Sequence, residues 1–76
     1  MKIIEVPEWA YIGNTVLIRD DECVRGHDPK QYYRETVVGY GYSGIFTQAH
    51  NCPVYFTPFS CFGDKIKLPG EVKPYI

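Results

Sequence analysis

The chain has no apolar run approaching the ~18–20 residues that a membrane-spanning helix needs. Its first residues, MKIIEVPEW, lack the apolar h-region and small-residue cleavage site of a secretory signal. Excess charge of either sign is missing too: eight Lys and Arg stand against nine Asp and Glu, for a net charge of −1 and a pI of about 6.0. With no strong basic field to draw a phosphate backbone, generic nucleic-acid binding is disfavoured. Three cysteines are an odd number, which argues against a secreted disulfide framework. These absences together point to the cytosol, with no membrane involvement.

Ala and Leu are scarce, while Val, Ile, Thr and aromatics are plentiful, with seven Tyr, four Phe and one Trp. That is strand composition. Seventy-six residues without repeat, linker or low-complexity tract read as one domain spanning 1–76. A chain this short hides only roughly 60% of its unfolded surface, so its core is thin and relies on aromatic packing.

The segment TVLIR, after a turn at Gly13-Asn14, predicts a strand over 15–19, with Trp9 and Tyr11 packing across the sheet. DDECVRGHDPKQYY is polar and punctuated by Gly26 and Asp28-Pro29, so residues 20–34 read as a long loop. In TVVGYGYSG, Val38, Tyr40 and Tyr42 alternate with Val37, Gly39 and Gly41, the period of a strand. The glycines imply curvature or a neighbour pressed against the backbone. Ser43-Gly44 turns the chain into a strand over 45–49, and VYFTPF gives another, with Pro58 at a sheet edge or bulge. KIKL closes the pattern, with Ile66 and Leu68 inward, and PGEVKPYI forms an extended tail. Five short strands, one long first connection and almost no helix define an all-β, strongly bent five-stranded barrel. It is SH3-like, with an OB-like barrel as the alternative.

The stretches ETVVGYGYSGIF and YFTPFSCFGDKIKL carry a resemblance over residues 35–68. They are similar to short uncharacterised proteins of phages and prophages. Those share a curved Val/Ile/Gly strand, a Gly turn, an aromatic-Pro-Phe strand and a Gly-polar-Lys step into a last hydrophobic strand. Many of them continue into a short acidic helix, whereas this sequence runs into PGEVKPYI. The resemblance implies a mobile-element origin, a small-barrel fold and, for a viral chain, the host bacterial cytosol. It brings no catalytic residues.

Two clusters hold the metal-capable side chains: CVRGH with Cys23 and His27, and HNC with His50 and Cys52. Thiolate and imidazole are zinc ligands, and strand direction places both loops at one end of the barrel. Neither cluster has the C-x₂-C spacing of a zinc knuckle, so two polar loops carrying His and small buried Cys are the leading reading. No other cofactor is suggested. Cys23 and His27, oriented by Asp20 or Asp28, can be drawn as a nucleophile and base, but no oxyanion hole or cleft accompanies them, which reads as no enzyme. GYGYSG matches G-x-G-x-x-G, yet the residues that follow it are strand-like, so a dinucleotide site is excluded.

Seven side chains remain as candidate partner-binding residues: Tyr32, Tyr33, Tyr42, Tyr55 and the acidic run Asp20, Asp21 and Glu22. Partly exposed Tyr is favoured at protein interfaces. The sequence therefore points to a small non-enzymatic protein that binds a host or phage protein, in the manner of an anti-CRISPR inhibitor of a defence nuclease. Two other classes compete with it. One is a nucleic-acid-binding barrel using Arg19, Arg25, Lys30 and Arg34, and the other is a structural subunit of a larger phage assembly.

Overall fold

The alternation that begins at Val16 decides the architecture. In the computed structural model, which describes residues 6–24 and 26–75, Val16 and Ile18 face a common interior from β1, Thr15–Arg19. Four more strands complete the sheet: β2 Tyr32–Tyr40, β3 Gly44–Gln48, β4 Tyr55–Pro58 and β5 Ile66–Lys67. Every pairing is antiparallel and the spatial order is β4-β3-β2-β1-β5. The protein is all-β, a sheet curled into a half-barrel of the small SH3-like or OB-like kind. Among the described residues the only helical pieces are two 3-10 turns, Glu8–Ala10 and Phe59–Cys61.

The core is Ala10, Val16, Ile18, Val37, Ile45 and Ile66, with Val6, Trp9, Tyr55, Phe59 and Phe62 packed against it. Aromatics bridge the side where β4 and β5 are not hydrogen-bonded. Phe62 meets Trp9 at 5.7 Å and Phe59 at 5.4 Å between ring centroids, the spacing of favourable tilted pairs. Leu17 points to the outer face but is still buried. In register it lies between Arg34 and Lys67, whose hydrocarbon stems are long enough to cover it.

Strand β2 carries Tyr33, Glu35 and Val37 inward and then changes phase. The register shifts between Val37 and Gly39, so that Val37 opposes Thr47 but Gly39 opposes Phe46 and Tyr40 opposes Ile45. A bulge at Val38 thus moves Tyr40 to the core side, where its hydroxyl accepts the Ile12 N–H at 3.0 Å. Gly39 and Gly41 turn to the outer face under Phe46 and Phe56. Simple alternation from the sequence has Val38, Tyr40 and Tyr42 on one side of a regular strand, and the bulge parts Val38 from Tyr40.

Gly44 is the position with least room. A Cβ there would lie 2.2 Å from the Thr57 carbonyl oxygen and 2.8 Å from Pro58 Cα, so only glycine allows β3 and β4 to approach so closely.

Three other expectations are corrected. β2 begins at Tyr32, so the long loop covers 20–31 and Tyr32 and Tyr33 belong to the sheet. Asp20 is 1% exposed because it continues the inward series of Val16 and Ile18. Leu68 lies just past β5 and is exposed, leaving Ile66 as that strand's core residue. The tail is extended, with the Tyr75 N–H donating to the Tyr32 carbonyl.

Candidate functional site

The turn-rich loops 20–31 and 49–54 meet at one end of the sheet, because β1 and β3 run in the same direction. Both carry a non-glycine residue in the left-handed region, Cys23 at φ 55° and Asn51 at φ 60°. The His27 ring stacks on Tyr33 with centroids 3.9 Å apart, and the Tyr33 hydroxyl accepts the Asp28 N–H at 3.1 Å. A cavity of about 280 Å³ opens between the loops, lined by His27, Tyr33, Arg34, Ala49, His50 and Cys52.

Three of the four metal-capable side chains therefore share one cavity, and Cys23 stays outside it, exposed on its own loop. Among the described residues, no group of three or more His, Cys, Asp or Glu is arranged to hold a metal ion. No hydrogen bond joins Cys23 to His27 there either. The His27 Nδ1 is buried without a hydrogen-bond partner in the protein, which costs about 1–3 kcal/mol for a polar group shut off from water.

Beside this cavity lies the charged end of the molecule. The Arg19 guanidinium bonds Asp21 at 2.5 Å and Asp64 at 2.8 Å. The hydrogen bond from Arg19 holds the Asp21 carboxyl below its ordinary value, and the same bond raises Arg19. Tyr32 lies 5.8 Å from both Arg19 and the Lys67 ammonium, and its hydroxyl donates to the Asp64 carbonyl. Lys65 pairs loosely with Glu22 at 3.9 Å. Burial pushes the Tyr55 phenol up. Burial pulls Lys65 down, but Tyr55, Asp21, Glu22 and Cys61 together outweigh it and the amine ends raised.

The seven candidate partner residues thus separate. Tyr33, 5% exposed, and Asp20 offer no surface to a partner, since each belongs to the inward series of its strand. Tyr55 is half-buried on the inner side. Tyr32, Asp21 and Glu22 are engaged with neighbouring charges. Tyr42 stands apart from all of these. It follows the nine-residue β2, so roughly 25–30 Å of strand lies between it and the loops. Among the described residues it is also the most exposed large hydrophobic side chain, at 87%. Of the proposed phosphate contacts, Arg19 is tied to two carboxylates, and Arg25 lies outside the described residues.

Around Tyr42 the structure gathers a surface that motif reading missed. The outer sides of β2, β3 and β4 present Val38, Phe46 and Phe56, and the adjoining end presents Tyr11, Ile12 and Tyr40. A shallow concavity of about 470 Å³, lined by Thr36, Val38, Gln48, Ala49, His50 and Asn51, continues this face to the His50 loop. None of these side chains is Asp, Glu, Lys or Arg. The signal was in the sequence: no such residue occurs from Thr36 to Gly63 or from Trp9 to Ile18. The fold brings both stretches together, with Glu8 beside Tyr11 and Arg34 beside Thr36 at the margins, and the Arg19, Asp21, Asp64 and Lys65 charges at the other end.

No protein-family model matches the chain, and no curated protein and no solved structure is significantly similar to it. Among the described residues no helix is long and apolar enough to cross a membrane.

Proposed function

We propose that this protein is a non-enzymatic binding module that occupies one partner protein through its charge-free outer face. The observation that carries this reading is the composition of that face. Its outer side exposes Val38 and Phe56, the adjoining end exposes Tyr42, Tyr40, Tyr11 and Ile12, and none of these is charged. Depletion of charge with enrichment of Tyr and Phe is the composition of the buried centre of protein interfaces. Partners with a matching uncharged patch gain from burying it at roughly 25 cal/mol per Å² of apolar area.

A nucleic-acid reading loses one of its contacts, since Arg19 is tied to Asp21 and Asp64, and keeps Lys30 and Arg34. Inhibition of a host defence nuclease, as in phage anti-CRISPR proteins, is the biological form that the sequence resemblance suggests for such occupation. Work in the host cytosol belongs to the same reading.

The test is capture of partners from bacterial lysate by wild type and by Tyr42→Lys, with and without nuclease treatment and at 0.1 and 0.5 M salt. Retention of a protein after nuclease, little salt dependence and loss in Tyr42→Lys support the reading. Partners that vanish with nuclease, or that fall steeply with salt, contradict it.

A further inference from the structure

The 280 Å³ cavity and the shallow groove of the charge-free face adjoin, with Ala49 and His50 in the lining of both. Their chemistry differs sharply. The groove is uncharged, while the cavity has Arg34, His27 and His50 in its lining, and no carboxylate. Arg34 and His50 both line the cavity, beyond the last registered β2–β3 pair, Thr36↔Gln48. The Arg34 guanidinium carries a permanent charge. Arg19 has two carboxylate partners, but among the described residues no hydrogen bond or ion pair engages the Arg34 guanidinium. The rest of the wall is the stacked Tyr33 and His27 rings, Ala49 and the half-buried Cys52. It is a surface for an apolar or aromatic body with an acidic end.

We propose that this cavity is a carboxylate subsite at the end of the groove, resting on the reading of the groove as a partner surface. Its occupant is a partner segment that lays uncharged apolar residues along Thr36, Val38 and Gln48. A carboxylate on that segment enters between Arg34 and His50. A guanidinium binds a carboxylate through two parallel N–H donors, and an imidazole N–H of His50 adds a third. The carboxylate is the chain terminus of that segment.

The test is a ¹H–¹⁵N correlation titration of the full chain with acetyl-Val-Ala-Phe bearing a free carboxyl terminus, its terminal amide, and sodium acetate. Wild type, Arg34→Gln and Arg34→Lys are compared. Arg34→Lys keeps the long stem that covers Leu17, while Arg34→Gln shortens it, so shifts confined to Leu17 and its neighbours are expected in the free Arg34→Gln spectrum. The free-acid peptide is expected to shift Thr36, Val38 and Gln48 together with Arg34, Ala49 and His50, saturably. The amide is expected to bind at least tenfold more weakly. Arg34→Gln removes that preference, and Arg34→Lys, which keeps the charge without the fork, restores it in part.

Equal binding of acid and amide, or an unchanged preference in Arg34→Gln, overturns the subsite and leaves the groove as a partner surface. Saturable acetate shifts at Arg34 and His50 without any peptide shift in the groove support the carboxylate pocket. They count against the groove reading on which the larger occupant rests. No saturable shift with any probe overturns the proposal.

Discussion

Phe46 and Phe56 face each other across β3 and β4 on the outer side of the sheet, with ring centroids 5.1 Å apart and planes tilted by 53°. They lie over backbone that Gly41 leaves bare. A Cβ on residue 41 would come within 3.0 Å of Phe56 and 3.1 Å of Phe46. The aromatic pair thus makes the floor of the charge-free face, and the glycines let it lie flat. Gly41→Ala is expected to lower stability by about 1 kcal/mol, since ring edges can give way. Gly44→Ala presses a methyl group on backbone and is expected to lose about 3 kcal/mol. Urea unfolding midpoints of the two variants check the order.

A second prediction concerns the inner face. The Thr47 hydroxyl donates to the Glu35 carboxyl at 2.6 Å, and both side chains are buried. Thr47→Val keeps the shape and removes the donor. A loss of about 1.5–3 kcal/mol is expected, the range for a hydrogen bond to a charged group. Chemical denaturation at neutral pH measures it, and a change under 0.5 kcal/mol would contradict the assignment.

Tyr33 and Tyr42 test the division between scaffold and surface. Tyr33 is packed between His27 and Tyr75, so Tyr33→Ala is expected to lose about 3 kcal/mol or more. Tyr42→Lys changes a solvent-exposed tip and is expected to stay within about 0.5 kcal/mol of wild type. Thermal unfolding of the pair separates them. Loss of binding in Tyr42→Lys is then a surface effect.

The pH dependence has two limbs. Burial raises the Tyr55 phenol above the unfolded-chain value of 10.0, so its contribution is complete below that pH and is lost as pH rises through the folded-state value. Lys65, also raised, loses its contribution on the same alkaline side. Tyr55→Phe is therefore expected to flatten the fall in stability above about pH 10. On the acid side, the lowered Asp21 carboxyl contributes above the unfolded value of 3.8, and the contribution is lost as pH falls through the folded-state value. Asp21→Asn is expected to reduce that acid slope and to weaken the Lys65 part of the alkaline limb, because Asp21 helps hold Lys65 raised. Unfolding free energy measured from pH 2 to 11 resolves both.

Most of the strand positions were legible because Val16, Ile18, Val37, Ile45 and Ile66 mark inward positions by simple alternation. The same rule, carried one step further, places Asp20 inside. Grouping Asp20 with Asp21 and Glu22 as one acidic partner-binding run obscured this, because charge suggested a surface more strongly than period suggested burial. The phase of Tyr40 was not legible. It depends on the bulge at Val38, which is fixed by how β2 meets β3 and not by any local propensity. Tyr33 was misplaced for a similar reason: only pairing of Tyr32 and Tyr33 with Arg19 and Ile18 shows that β2 starts that early. Strand direction did foresee that His27, His50 and Cys52 would meet. The charge-free face was written plainly between Thr36 and Gly63, but an absence of charge becomes a surface only when the fold shows which residues are outside.

The most direct test of the account is photo-crosslinking in the bacterial cytosol. A benzophenone amino acid is placed at position 42 on the charge-free face and, in a separate chain, at position 73 on the charged side. The account predicts one dominant protein adduct from position 42, diminished by excess unlabelled wild type but not by excess Tyr42→Lys, and no matching adduct from position 73. Equal adducts from both positions, or adducts from position 73 alone, would contradict it.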